Sequence, residues 1–180
     1  MQVVNRQQLD LLGENHQGCA LEASAYSYSY LDDILLLAAQ RKQKPFLLLL
    51  DIIQNPQNLG ALVRTAEAVG VHGIVMPERR AAGVTPAVVH ASAGATEHML
   101  IAQMNLAQAI TELKAADVWV AGLEGGSGSQ PVGQVPLDGA LALVVGSEGE
   151  GLRRLTRDSC DYLLRLPMSG RVESLNAAVA

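Results

Sequence analysis

The residues of this chain that could do chemistry fall in three short stretches: Asn55-Pro56-Gln57-Asn58-Leu59-Gly60-Ala61-Leu62-Val63-Arg64-Thr65, then Gly146-Ser147-Glu148-Gly149-Glu150-Gly151-Leu152, then Pro167-Met168-Ser169-Gly170-Arg171-Val172-Glu173-Ser174-Leu175-Asn176. They offer side-chain amides, a guanidinium within an alanine-rich helical pattern, and a glycine loop bearing two carboxylates. Each stretch follows an apolar run that reads as a buried strand. All three would therefore lie on loops at the carboxyl ends of strands, where open α/β sheets bind ligands, and one composite site is expected.

The glycine loop resembles two phosphate-binding patterns and matches neither. A P-loop needs Lys and Ser/Thr after its last glycine, where this chain has Leu152 and Arg153, and Glu148 and Glu150 would repel a triphosphate. A Rossmann fingerprint needs glycines at first, third and sixth positions after the first strand; here they fall at first, fourth and sixth after a late one. A glycine loop with carboxylates suits a ligand that has a positive centre and several donors, held by backbone that glycine lets approach closely. S-adenosylmethionine, with its sulfonium, ammonium and adenine, has that character. Hydrolysis is disfavoured, because Ser174 has no neighbouring His and acid and the chain has no GxSxG elbow.

The elements that must position these residues are read from periodicity. Strands are expected at 46–50, 73–76, 118–121, 141–145 and 163–166, and helices at about 59–70, 105–116, 151–158 and from 174 onward. Continuous apolar runs such as Leu47-Leu48-Leu49-Leu50 imply strands buried on both faces, hence an α/β fold with a mostly parallel sheet flanked by helices. Asn58 would cap the first motif's helix, with Pro56 helping to set the turn. On that helix Leu59, Leu62, Val63, Ala66 and Val69 form an apolar face, while Gly60, Arg64 and Glu67 lie on another. Arg64 either pairs with Glu67 or serves a phosphate, and its place just after a motif loop points to phosphate. Ser174 would cap the last helix. Residues 125–131, rich in Gly and Ser, read as a flexible surface loop.

Residues 1–45 lack a sustained period and read as a linker packed on the domain, with a short amphipathic helix over Leu31 to Ala39. Tyr26, Tyr28 and Tyr30 alternate at period two, the pattern of an edge strand, although such rings also stack on bases. No stretch reaches the roughly 18 apolar residues of a membrane span, and Met1 does not begin a signal peptide. A cytoplasmic protein without membrane contact is expected. Cys19 and Cys160 lie far apart, and His16, His72, His90 and His98 show no zinc-ligand spacing, so neither disulfide nor metal is expected.

A net charge of -5 argues against a protein that coats nucleic acid non-specifically, so any RNA contact must be local. Three clusters could supply it: Arg41, Lys42 and Lys44; Arg79 and Arg80; Arg153, Arg154 and Arg157. With 3% aromatic residues a stacking platform of the RRM or OB kind is not expected.

In their order and separation the three motifs resemble the SpoU (TrmH-type) branch of the SPOUT RNA 2'-O-ribose methyltransferases, over residues 46–180. The resemblance implies a deep trefoil knot at the carboxyl-terminal part of the sheet, a homodimer, and S-adenosylmethionine as cofactor. It implies that Gly146, Leu166 and Leu175 hold the cofactor largely through backbone atoms, with Gly151, Met168 and Glu148 beside them. Asn58, Arg64, Glu148, Ser174 and Asn176 match the family's functional positions. His16-Gln17-Gly18 before an apolar segment resembles the linker of members that methylate a guanosine ribose in large-subunit ribosomal RNA, which makes rRNA the expected substrate. Transfer RNA, or an RNA-binding relative without catalysis, are the alternatives.

Two departures from the family pattern stand out. Fewer than 50 residues precede the catalytic domain, where relatives carry an RNA-binding domain, so residues 1–45 are expected to be the remnant of one; the helix begun at Ser174 also stops at Ala180. The reaction implied is an in-line displacement in which a ribose 2'-oxygen attacks a methyl carbon on sulfonium. A guanidinium stays protonated, with a pKa above about 12, so Arg64 fits better as a donor to the adjacent phosphate or the developing oxyanion than as the base.

Overall fold

The computed structural model describes residues 2–13, 16–21, 24–126, 128–147, 149–170 and 175–179. Its centre is a parallel sheet built from β1 (Phe46–Leu50), β2 (Gly73–Met76), β3 (Leu100–Gln103), β4 (Trp119–Leu123), β5 (Gln130–Pro131), β6 (Leu141–Val145) and β7 (Tyr162–Arg165). The strand order is β3-β2-β1-β6-β4-β7-β5, and each pairing is parallel. Helices α1 (Arg6–Asp10), α2 (Leu31–Gln40), α3 (Pro56–Ala68), α4 (Pro86–Ala91), α5 (Leu106–Ala115) and α6 (Arg154–Ser159), with a 3-10 turn at Ala95–Glu97, surround it.

The apolar run of β1 explains the layering. Successive side chains point to opposite faces, so Leu48 and Leu50 enter a core with Leu59, Leu62 and Val63 of α3, while Leu47 and Leu49 enter another with Leu106, Ile110 and Leu113 of α5 and Ile34 of α2. The crossover after β1 therefore covers one face, with α3 packed on α4 and the 3-10 turn, and α5 packs with α6 on the other. Because β1 leads to one face and β6 to the other, the boundary between them is a topological switch point, where a crevice opens at the carboxyl ends.

Several sequence expectations are corrected. Helix α3 starts at Pro56, not near residue 59: Asn55 Oδ1 accepts the Gln57 N–H at 2.8 Å and Pro56 occupies the first helical position, so Asn55 is the cap and Asn58 lies inside the helix. Helix α6 starts at Arg154, not 151, since Gly151 has φ +68° and Arg153 is extended. Strand β3 and helix α4 were not expected, nor was α1, which a capping box between Asn5 and Gln8 starts within the supposed linker. Gln130–Pro131 of the expected surface loop forms β5.

The tyrosine run is not an edge strand. Ser29 alone among its described residues makes a sheet bridge, to Ala102, while the Tyr26 hydroxyl donates to Met99 O and the Tyr28 hydroxyl accepts the Val84 N–H at 2.9 Å. These phenols are tied to the domain instead of offered to bases. The helix expected from 174 is also absent among residues 175–179, where Asn176 Oδ1 accepts the Ala178 N–H at 2.8 Å and Val179 N–H reaches Asn176 O. A local amide turn has replaced the helical bond pattern.

Candidate active site

The loops after β1 and β6 meet at the switch point. They form a cleft of about 200 Å³ lined by Ile52, Ile53, Gln54, Asn55, Asn58 and Ser147. The chain turns out of β1 through Asp51, which is fully buried, and Ile52, whose φ is +61°. A β-branched residue pays steric strain there, and such strain collects at functional sites.

Asp51 joins the first two motifs. Its Oδ2 accepts the Arg153 backbone N–H at 2.9 Å, its Oδ1 accepts Arg153 Nε–H at 2.6 Å, and its own N–H bonds Val145 O at the end of β6. Arg153 follows the glycine loop directly, so a carboxylate at the end of one strand fixes where the neighbouring strand's loop ends. The loop is itself closed: Ser147 N–H donates to Gly151 O at 3.1 Å and Gly151 N–H returns to Ser147 O at 3.0 Å. A Cβ on Gly146 would strike the carbonyl carbon and oxygen of Gly151 and come within 2.6 Å of Leu152 N. The glycine is thus required first by the loop crossing over its own backbone, before any ligand arrives. Gly149 and Gly151 both have positive φ.

The third motif reaches the first. Asn176 Nδ2 donates to Asn58 Oδ1 at 3.3 Å, and Ala177 is buried in the core on the α3 side of the sheet. Asn58, Asn176 and Ser147 therefore converge although 118 residues separate the two asparagines. Glu148 and Ser174 lie outside the described residues. Leu166 follows β7, with Met168 and Leu175 about two-fifths exposed; these three do not line the cleft.

Arg64 does not line it either. It is exposed on α3, six residues or about 9 Å along the axis from Asn58. It makes no ion pair with Glu67 or with any other described carboxylate. Gly60, one turn earlier, is where α3 crosses α4: its added Cβ would meet Ala91 Cβ and lie 2.9 Å from Ala91 C and Ser92 N.

Glu124 was not singled out by sequence. Its backbone N–H extends the β4–β7 ladder to Leu164 O, which places it between the loops that follow β6 and β7. Arg157 Nε lies 3.0 Å from Glu124 Oε2, close enough for an ion pair, yet the N–H does not point at the oxygen, and this buried atom has no hydrogen-bond donor among the described residues. An acid closing an apolar strand was the available signal. Cys160 is a poor nucleophile: burial pushes its thiol up to about 11, outweighing the opposing Lys114 charge, so the thiolate is scarce at neutral pH.

The SpoU rRNA Methylase family model matches residues 45–180, and the chain belongs to that family. It is 45% identical over 182 residues to YacO of Bacillus subtilis, whose name places it among TrmH-family tRNA/rRNA methyltransferases; the match covers all of this chain and 73% of that protein. It is 43% identical to a Synechocystis protein named as a tRNA/rRNA methyltransferase, covering 92% of this chain and 43% of that one. Among solved structures, the SpoU methyltransferase AviRb of Streptomyces viridochromogenes in complex with AdoMet superposes with a TM-score of 0.74 at 26% identity over 86% of this chain. An AdoMet-bound rRNA methyltransferase of Sinorhizobium meliloti does so with 0.74 at 30% over 85%. This chain spans 61% and 57% of those two chains.

Proposed function

We propose that this chain transfers the methyl group of S-adenosylmethionine to a ribose 2'-hydroxyl of RNA, that of a guanosine in large-subunit rRNA. The observation that carries the reading is the convergence of Asn58, Ser147 and Asn176 at the switch-point cleft, beside a glycine loop closed on itself. The residues fit the cofactor: the loop after β6 offers close-approach backbone, and Glu124, whose buried Oε2 pairs with Arg157 in charge but accepts no hydrogen bond from a described residue, has acceptor capacity left for a ligand rich in donors and positive charge. Gly146, Gly151, Leu166, Met168 and Leu175 are the residues that would hold it. The trefoil knot and the homodimer that the family resemblance implies belong to the same reading.

When bound, S-adenosylmethionine supplies an electrophilic methyl carbon. The chain's part is orientation and charge. Asn58 and Asn176, already joined, hold the carboxamide wall of the cleft against which the ribose rests. Arg64 carries a fork of N–H donors and no acceptor, so its role is to donate to the phosphate or the developing oxyanion and not to act as the base.

The test is methylation of RNA pools with radiolabelled S-adenosylmethionine followed by mapping of the modified nucleotide; label in a base, or in transfer RNA, would refute the assignment as stated. Arg64→Ala should leave cofactor affinity within a few-fold and the melting temperature nearly unchanged, yet lower methyl transfer by roughly two orders of magnitude, the scale of losing transition-state charge stabilisation. Loss of cofactor binding in that variant would withdraw its catalytic role.

A further inference from the structure

Sequence leaves three basic clusters equivalent, and the fold separates them. After β6 the described arginines are engaged: Arg153 with Asp51, Arg154 with Asp158 at 3.5 Å, Arg157 with Glu124 at 3.0 Å, and Arg165 Nη1 with Ser129 O at 2.6 Å. Lys44 of the early cluster donates to Asp138 O at 2.9 Å while Arg41 and Lys42 are exposed, but that cluster precedes β1, at the opposite end of the strands from the cleft. Arg79 and Arg80 differ from the first group in pairing and from the second in place. They are exposed, make no ion pair or hydrogen bond among the described residues, and sit on the loop leaving the carboxyl end of β2, next to β1 and on the cleft's own edge.

This loop is held from two sides. Ala82 N–H donates to Ile53 O at 2.8 Å, and Ile53 lines the cleft. Val84 N–H donates to the Tyr28 hydroxyl at 2.9 Å, and Tyr28 packs edge-on against Tyr26 with ring centroids 5.1 Å apart. Arg80 itself has φ +63°, a turn conformation that a bulky residue adopts at a cost. Tyr26 and Tyr28, whose hydroxyls are engaged by the domain, thus act as a bracket for a loop whose tip carries two adjacent cations. Glu78 beside them is the loop's one carboxylate. In a chain of net charge -5, cations left unpaired at the rim of the cleft are where a polyanion gains most.

We infer that the loop between β2 and α4 is the phosphate-binding arm for the RNA strand that flanks the methylated nucleotide, with Arg79 and Arg80 as its contacts and Tyr28 as the residue that positions it. The inference rests on the proposed reading that the substrate is RNA. Phosphate contacts fix the register of a strand without reading its bases, so the arm would set affinity and placement while the cleft performs the chemistry.

The experiment uses the full chain and a fluorescein-labelled single-stranded RNA of mixed sequence, with anisotropy measured across a KCl series. Each phosphate contact to a single strand adds about 0.7 to the slope of log affinity against log salt. Arg79→Ala/Arg80→Ala should therefore lower the slope by about 1.4, so that between 50 and 200 mM salt wild-type affinity falls about sevenfold more than that of the variant. Arg154→Ala, which removes an exposed but paired cation, should leave the slope unchanged, and calorimetric S-adenosylmethionine affinity should be unchanged in both. Tyr28→Phe should weaken RNA binding without altering the slope by as much. An unaltered slope in the double variant, or an equal loss in Arg154→Ala, overturns the arm while leaving the RNA reading intact. If wild type itself binds this RNA without salt dependence, both fall.

Discussion

Asp51→Asn is the perturbation that tests how the site is held. The substitution preserves shape, and Asn Oδ1 can still accept the Arg153 backbone N–H. The other corner changes sign: an amide NH2 would face Arg153 Nε–H where a carboxylate oxygen now accepts it at 2.6 Å, in a position with 0% exposure. A lost hydrogen bond to a charged group costs about 1.5–3 kcal/mol, and a stranded buried donor about 1–3 kcal/mol more. Arg153 is 47% exposed and can turn to water, which recovers part of its share. A net loss of about 3 kcal/mol follows, or roughly 6–12 °C in melting temperature for a domain of this size.

Calorimetric melting and S-adenosylmethionine titration read the two consequences separately. Because Arg153 ends the segment that begins at Gly146, affinity should drop along with stability, by about tenfold if near half of the lost energy is expressed in the loop. The pair should also couple in a double-mutant cycle with Arg153→Ala by roughly 0.5–3 kcal/mol. A melting temperature within about 1 °C of wild type, or strict additivity in the cycle, would show that Asp51 does not anchor the glycine loop.

Three further outcomes are expected. Gly146→Ala should abolish measurable S-adenosylmethionine binding, because its Cβ would displace the Gly151 backbone; retained affinity in calorimetry would mean that the loop opens without consequence. Gly60→Ala should destabilise by about 1–3 kcal/mol through overpacking on Ala91, overriding the roughly 1 kcal/mol that helix propensity would add, and a rise in melting temperature would refute the close α3–α4 crossing. His72 is buried, with Phe46 N–H donating to its Nδ1 and its Nε2 bonded to Gln43 Oε1, and burial lowers its pKa below 6.5, with the Arg41 charge adding to the depression. The unfolded chain therefore takes up a proton that the folded chain refuses, so this contribution to stability is complete above about pH 6.5 and shrinks as pH falls below it. Urea midpoints from pH 7.5 to 5 should fall more steeply for wild type than for His72→Gln; parallel profiles would discard the argument.

What the sequence made legible was whatever depends on neighbours along the chain. β1, β2 and β6 stand out because buried parallel strands are continuous apolar runs, and the first two motif loops follow from where β1 and β6 end. β3 escaped because four residues with Gln103 at their end carry little signal, and β5, with two residues, carries none. The cap of α3 was legible and misread: Pro56 at the first helical position puts the cap at Asn55, and Asn58, inside the helix, lines the cleft. Partnership across the fold is another matter. Asp51 and Arg153 are 102 residues apart, and nothing local marks one as the partner of the other. The same limit governed the basic clusters, since an arginine's availability is set by whether tertiary structure brings it a carboxylate. Folding silences Arg153 and Arg157 and leaves Arg64, Arg79 and Arg80 unpaired on the flank formed by α3 and the β2 loop. An acidic chain can therefore present a cationic rim to one side of its cleft, a property of the fold that net charge alone conceals.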